Sequence, residues 1–346
     1  MVFSKRMAHR ICLVDGNALI YQAFYGNKAE LYNPAGVRVN AVYTFLRTMI
    51  SLLSRADPIS YSGAAICWDH PSSMQGRKKV RGRAHVPKYT GAAVCWDHPA
   101  RTKRSKDFRD YKAGRAKMPD DLRPQMALSM EAVASCGVAQ FQIPTVEADD
   151  LIATIATLAR DHGAIVDILS PDKDMLQLVN EHVTVEHSIT GKIYDEAAVV
   201  ERYGVPPSLL PEMFAFIGDK VDNLPGVSGI GPKRARDLLT QYGSIESIME
   251  ACETETESNM KKSGLHLVKA HLNNVSNISL HHAASLNRMA KDVLIPEFET
   301  HSPSCGSSHG VFDILGFPPL PHTNENFMET NLFRFIQEQN FKSLMG

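Results

Sequence analysis

Three short apolar runs, each closing on an aspartate, set the fold class of this 346-residue chain. Ile11 to Val14 ends in Asp15 and Gly16, Ala92 to Trp96 ends in Asp97, and Ala164 to Leu169 is followed at once by Ser170, Pro171 and Asp172. Runs this short and this uniformly apolar mark strands buried on both faces, and the polar residues behind them end each strand. Helical patterns lie between them. Ala18 to Phe24 is one, and Asn40 to Leu53 carries Val42, Phe45, Leu46, Met49 and Leu53 at helical spacing. Pro124 to Cys136 stops near Gly137, and Ala148 to His162 carries Leu151, Ile152, Ile155 and Leu158 on one face and stops at Gly163. Phe141 to Ile143 adds a short strand. Strands alternating with helices predict an α/β fold with a mainly parallel sheet and right-handed crossovers. After about Gly204 the strand signals fade into helices and loops, with Glu253 to Ser258 and His301 to His309 as polar, Ser- or Thr-rich connections.

Composition excludes several classes. The chain is 44 % hydrophobic yet has no run of about 18 apolar residues, so no membrane-spanning helix and no membrane partner are expected. Cys12, Cys67, Cys95, Cys136, Cys252 and Cys305 contain no Cys-x-x-Cys pair, which argues against zinc ribbons and disulfide frameworks. The opening MVFSKRMAHR is basic but too short and too weakly apolar for a secretory signal. An intracellular monomer is expected, with an organelle such as the mitochondrion left open.

Net charge is −1, but it is unevenly spread: Ser72 to Asp120 holds 14 Lys+Arg against 4 Asp+Glu, net +10, leaving −11 for the rest. Such a block is either a nucleic-acid footprint or a solvated basic loop.

The three strand-ending aspartates share one sheet edge, the edge where ligands bind in open α/β sheets. Glu147, Asp149 and Asp150 add carboxylates at the start of a helix, and Asp174, Asp219 and Asp222 add more. Any one of them, taken singly, reads as a turn or cap residue. Gathered together they would repel strongly without cations to compensate them. Hard, oxygen-loving ions, Mg²⁺ with Mn²⁺ as a substitute, fit such donors and suit phosphoryl chemistry at a pair of metals.

Gly226-Val227-Ser228-Gly229-Ile230-Gly231-Pro232-Lys233 precedes a helix-like run from Arg234 to Leu239. Gly226, Gly229 and Gly231 would let the backbone approach a phosphate, and the amides at the helix start favour an anion. With Lys233, Arg234 and Arg236 alongside, the pattern is that of a helix-hairpin-helix gripping a DNA backbone, the alternative being a plain turn.

Arg55 to Pro71 recurs at an offset of 28 residues as Arg83 to Pro99, with 11 identities in 17 positions. Two copies of one strand and its aspartate compete for one place in the sheet, so either Asp69 or Asp97 is surplus. Asp97 lies 15 residues before Lys112, and that interval favours the second copy, with 57–89 as a mobile insertion.

In order and spacing, VDGNALIYQAF, YKAGR, MPDDLRPQM, VEADDLIATIA, SPDKDMLQLV, ERYGVPP and IGDKVDNLPGVSGIGPKRARDLL resemble the 5′-nuclease domain of bacterial DNA polymerase I and, more distantly, flap endonucleases. The likeness continues weakly through LNRMAKDVLIPEF to LFRFIQEQNFKSLM, and no polymerase-like segment follows, so a stand-alone nuclease is expected. The resemblance implies a PIN-like core over residues 1–203 with a helical arch near 100–120. It also implies a helical DNA-binding lobe over 204–346 with its helix-hairpin-helix near 222–240. The implied activity is structure-specific 5′-3′ exonuclease or 5′-flap endonuclease hydrolysis, by two metal ions, on DNA with 5′ ends or flaps, RNA-primed or not, in primer removal, replication or repair. Asp15, Asp97, Glu147 and Asp149 would ligate a first ion and Asp172, Asp174 and Asp222 a second, with Asp150 and Asp219 in support. Arg104, Tyr111, Lys112 and Arg115 would hold the scissile phosphate and the 5′ strand. Lys103 departs from the phenylalanine usual before Arg104. A catalytically silent DNA-binding module of the same fold is the main rival, and the intact acid set argues against it. A small-ester phosphatase would leave the basic block and the glycine hairpin unexplained.

Overall fold

In the computed structural model, which describes residues 10–53, 91–135, 138–273 and 279–293, β1 (Arg10–Asp15) lies inside a six-stranded sheet. Its companions are β2 (Gly91–Cys95), β3 (Ala139–Phe141), β4 (Ile165–Leu169), β5 (Val183–Glu186) and β6 (Ile193–Tyr194). Across the sheet the order is β3-β2-β1-β4-β5-β6, with every pairing parallel except β5 with β6. Asp15 stands opposite Cys95, and Val14 opposite Leu169. β1 is apolar throughout because both its faces are covered. Ile11 and Leu13 enter one core and Cys12 and Val14 the other, the period-2 alternation of a strand.

The second of these cores is closed by α1 (Gly16–Gly26), α2 (Asn40–Leu53) and, beyond the short α3 (Lys103–Asp107), by α4 (Leu122–Ser135). Val42, Phe45, Leu46 and Met49 of α2 are fully buried, with Phe45 5.6 Å from the ring of Trp96. Gln125 of α4 accepts the Ala41 amide at 2.8 Å. On the opposite face sits α5 (Ala148–Asp161), whose Leu151, Ile152 and Ile155 are buried. Truncating any of these three to alanine should cost about 2–5 kcal/mol. Leu158, expected on the same face, is exposed, because the buried stripe passes through Ala156 and Ala159 instead.

The rest of the described chain is helical: α6 (Glu196–Tyr203), α7 (Leu210–Ile217), α8 (Pro232–Tyr242), α9 (Ile245–Thr254), α10 (Glu257–Ser263), α11 (Leu265–Asn273) and α12 (Leu280–Asn287). It shares one continuous core with α5 and β4. Glu253 to Ser258, expected as a loop, is mostly helix ends, its Thr256 capping α10 through the amide of Asn259. His301 to His309 and the expected insertion 57–89 lie outside the described residues. The segment expected as a helical arch contains only α3 before a run of turns through 115, since Lys112 takes a left-handed φ of 58° that no helix accommodates. After α12 the chain returns to the sheet layer. Gln177 accepts the Met289 amide at 2.9 Å, Asp150 accepts that of Ala290 at 2.8 Å, and Thr154 accepts that of Val293 at 3.2 Å.

Candidate metal and nucleic-acid site

Because β2, β1 and β4 are parallel neighbours, their C-terminal ends deliver Asp15, Asp97 and Asp172 to one edge of the sheet. Each is fixed by the turn it makes. Asp15 caps α1, accepting the Ala18 amide at 2.9 Å, and its other oxygen accepts the hydroxyl of Ser170 at 2.8 Å. Ser170 also accepts the Asp172 amide at 3.0 Å, so one buried hydroxyl joins the ends of β1 and β4. Asp97 accepts the Ala148 amide at 2.8 Å, while its own amide donates to Asn17 at 2.9 Å. Asp172 accepts the Asp174 amide at 2.9 Å, opening the 3-10 helix Lys173–Leu178. Gly16 permits this convergence, since a β-carbon there would lie 2.6 Å from the Trp96 ring.

Asp15 and Asp97, with Asp149 and Asp174 beside them, titrate above the ordinary carboxylate value. Burial, reinforced by Asp97 and Asp172, pushes Asp15 up to about 7 against the hydrogen bonds from Ala18 and Ser170. Burial, with Asp172 second, does the same to Asp174, again to about 7. Asp149 is driven well above the carboxylate range by burial and then by Asp15 and Asp172, and accepts no hydrogen bond from the described residues. Asp97 is raised mainly by burial. A line of like charges thus runs from Asp97 through Asp15, Asp149 and Asp172 to Asp174.

The other acids are met by bases. Glu147 receives Lys112 Nζ at 2.9 Å, Arg104 at 3.0 Å and the Tyr111 hydroxyl at 3.3 Å. Burial alone would raise Glu147, but Lys112 and Arg104 outweigh it and hold the group below its usual value. Arg115 reaches Asp222 at 2.5 Å, Lys173 pairs with Asp219, and Arg104 grips Asp150 with both terminal nitrogens. Asp219 is likewise held low by Lys173 against the effect of burial. The expected ligands therefore divide into a repelling set and a paired set, with Asp174 between them: it is repelled by Asp172 yet reached by Lys173 Nζ at 3.4 Å. Among the described residues no three His, Cys, Asp or Glu side chains close a metal cage by themselves.

Farther out, Gly218 and Gly226 stand back to back, and a β-carbon on Gly226 would lie 2.4 Å from the Ile217 carbonyl. Gly226 thus closes the neck of the loop that carries Asp219 and Asp222. Gly229 takes φ +81° to make the hairpin, and Gly231 caps α8 with open space around it. Arg234 donates to the Gly229 carbonyl at 2.7 Å and lies over Gly264, bracing the hairpin. Lys233 of α8 and Lys262 of α10 line the same open groove of about 540 Å³. Lys262 had no motif to announce it.

Models of the 5′-3′ exonuclease match almost all of the described chain: the N-terminal resolvase-like domain over residues 10–84 and 82–204, and the C-terminal SAM fold over 205–302. The chain belongs to the 5′-3′ exonuclease family. It is 36 % identical over 241 residues to a 5′-3′ exonuclease of Aquifex aeolicus, covering 70 % of this chain and 72 % of that one. Against DNA polymerase I of Streptococcus pneumoniae it is 32 % identical over 260 residues, which is 73 % of this chain but 26 % of the polymerase. The chain thus spans about a quarter of that polymerase. Its fold is that of the flap endonuclease of bacteriophage T5 solved with DNA and metal ions, with a TM-score of 0.57 at 17 % identity, covering 96 % of this chain and all of the other. The sequence alone points to the acids and to the basic segment facing them. It does not single out Ser170, Asn17 and Asn223, which hold them through hydrogen bonds of uncharged side chains and so draw no attention.

Proposed function

We propose that this 5′-3′ exonuclease family member is a structure-specific, divalent-metal-dependent nuclease that hydrolyses phosphodiester bonds near 5′ ends or at 5′ flaps of DNA. The observation that carries the reading is the line of mutually repelling, buried or half-buried carboxylates on the sheet edge, faced by Lys112 and Arg115. An all-oxygen donor set of this charge fits hard cations such as Mg²⁺, or Mn²⁺ in its place. Such ions keep several waters and take phosphate oxygens as further ligands, so the protein need not close a cage around them. Asp15, Asp97, Glu147 and Asp149 would hold one ion and Asp172, Asp174 and Asp222 another. When bound, such a pair supplies a hydroxide at neutral pH and stabilises the attacking and leaving oxygens.

The chain's own residues do the rest. Lys112 and Arg115 rest on Glu147 and Asp222, so cations taking over those carboxylates would free both bases to hold the scissile phosphate. Tyr111 packs beneath, its ring 4.9 Å from Lys112 Nζ. Gly231, Lys233 and Lys262 face a groove suited to a duplex backbone, read through phosphates and not bases. We assign residues 1–203 to the nuclease core and 204–346 to the duplex-binding lobe, a division supported by the junction of the two family models at 204 and 205.

Purified protein on a labelled 5′-flap duplex tests the reading. Cleavage with Mg²⁺ or Mn²⁺, products bearing 5′-phosphate and silence in chelator are expected. Asp149→Asn and Asp172→Asn should each abolish cutting while leaving duplex affinity largely intact. Undiminished cutting in chelator would remove the metal mechanism.

A further inference from the structure

Two residues in left-handed conformation face each other where the basic segment meets the loop after α7: Lys112 at φ 58° and Asn223 at φ 57°. The loop is a rigid platform. Asp219 and Leu224 exchange backbone hydrogen bonds at 2.8 and 2.7 Å, the Asp219 carboxylate accepts the Val221 amide, and Gly218 and Gly226 close its neck. On it the turn 110–115 is pinned at three points. The Lys112 amide donates to the Asp222 carbonyl at 2.9 Å, Arg115 reaches the Asp222 carboxylate, and Asn223 Nδ2 donates to the Asp110 carbonyl at 2.9 Å.

We propose that Asn223 is a positioning residue for the reaction, setting the register of Lys112 and Arg115 against the carboxylates; this rests on the nuclease reading above. Its side chain is exposed and far too short of contacts to matter to the core, so a purely structural role predicts almost nothing on its removal. Its backbone, by contrast, takes a conformation that few residues besides glycine and asparagine hold cheaply, and its amide then fixes the turn two residues ahead of Lys112. A displacement of those bases by about 1 Å is enough to cost up to a hundredfold in rate.

Asn223→Gly keeps the left-handed backbone and removes the amide, and Asn223→Asp removes the donor at constant shape. Both should lower the single-turnover rate on a flap substrate by about tenfold or more, with duplex affinity and melting temperature unchanged. In a Lys112→Ala, Arg115→Ala background, Asn223→Gly should add no further loss. Independently of any cleavage, the Lys112 amide should exchange its hydrogen faster in Asn223→Gly than in wild type. An unchanged rate in both variants, or a loss that multiplies fully with that of the double variant, overturns the proposal. A wild type that never cuts would instead sink the nuclease reading, while the exchange of Lys112 still decides whether Asn223 holds the turn.

Discussion

Arg104 and Asp150 meet fork to fork, with Nη1 2.7 Å from Oδ2 and Nη2 2.6 Å from Oδ1. The same guanidinium touches Glu147 and donates to the Arg288 carbonyl, and Asp150 also accepts the Ala290 amide. One ion pair therefore ties the base of the basic segment, helix α5 beside the carboxylate edge and the returning segment after α12. Family likeness suggests Arg104 for the phosphate, but a side chain with these commitments is a clamp in this structure.

Breaking that clamp should be costly, because both side chains are largely buried and the survivor keeps an unpaired charge. Arg104→Ala should lose about 3–5 kcal/mol of stability, read by urea denaturation. Arg104→Lys should recover little of it, since an ammonium cannot reproduce the two-pronged contact. Wild-type stability in Arg104→Ala, with a selective loss of phosphate binding, would return Arg104 to the substrate.

The raised carboxylates make a pH prediction whose sign is fixed. Asp15 and Asp174 are held near 7 when folded, against an ordinary value of 3.8, so between those limits the folded state carries more protons than the unfolded one. Stability of the metal-free protein should therefore fall as pH rises from about 4 to about 7 through these groups. Glu147 and Asp219 are lowered and work oppositely, but their stabilisation is lost only at more acid pH, as it falls through their folded values. Ligation requires the deprotonated form, so Mg²⁺ should reverse the decline and bind more tightly at pH 8 than at pH 6. Melting scans with chelator and with Mg²⁺ across this range check both; a metal-free stability that rises from pH 5 to pH 7 would contradict the burial argument.

Much of this was written in the sequence. The strands that carry Asp15, Asp97 and Asp172 were legible because a strand buried on both faces must be apolar until it stops. β5 and β6 were not, being only four and two residues long, the first with polar Thr184 and Glu186 interleaved. The acids declared themselves by charge, but which were paired and which repelled depends on residues far apart in the chain, such as Arg115 and Asp222. Gly226 looked like part of a phosphate loop, and only the backbone of Ile217 behind it reveals its packing role.

The groove beside the hairpin has two lysines without a carboxylate partner among the described residues, Lys233 of α8 and Lys262 of α10. If both contact phosphates, Lys233→Ala and Lys262→Ala should each weaken duplex binding equally across sequences and reduce the salt slope by about one. Arg234→Ala should instead loosen the hairpin, since that side chain is spent on the Gly229 carbonyl. Affinities measured on two unrelated duplexes at several salt concentrations separate these outcomes; a loss confined to one sequence would contradict backbone contact.

The repeated strand leaves one choice between two aspartates. In the sheet, the place between β1 and β3 is taken by Gly91–Cys95, which belongs to the second copy, so Asp97 stands at the carboxylate edge. The first copy lies in 54–90, outside the described residues. The family model breaks near the start of the second copy at Arg83, its first match ending at 84 and its second starting at 82. Extra chain between α2 and β2 adds little to loop-closure entropy, which grows only logarithmically with length. Extra chain between Asp97 and Lys112 would displace Lys112 from Glu147, and such displacements are expensive in catalysis. Asp97→Asn should therefore abolish cleavage in a flap assay, Asp69→Asn should leave it near wild type, and a chain lacking 57–84 should still fold and cut. Activity that survives Asp97→Asn but not Asp69→Asn would mean that the first copy supplies the ligand.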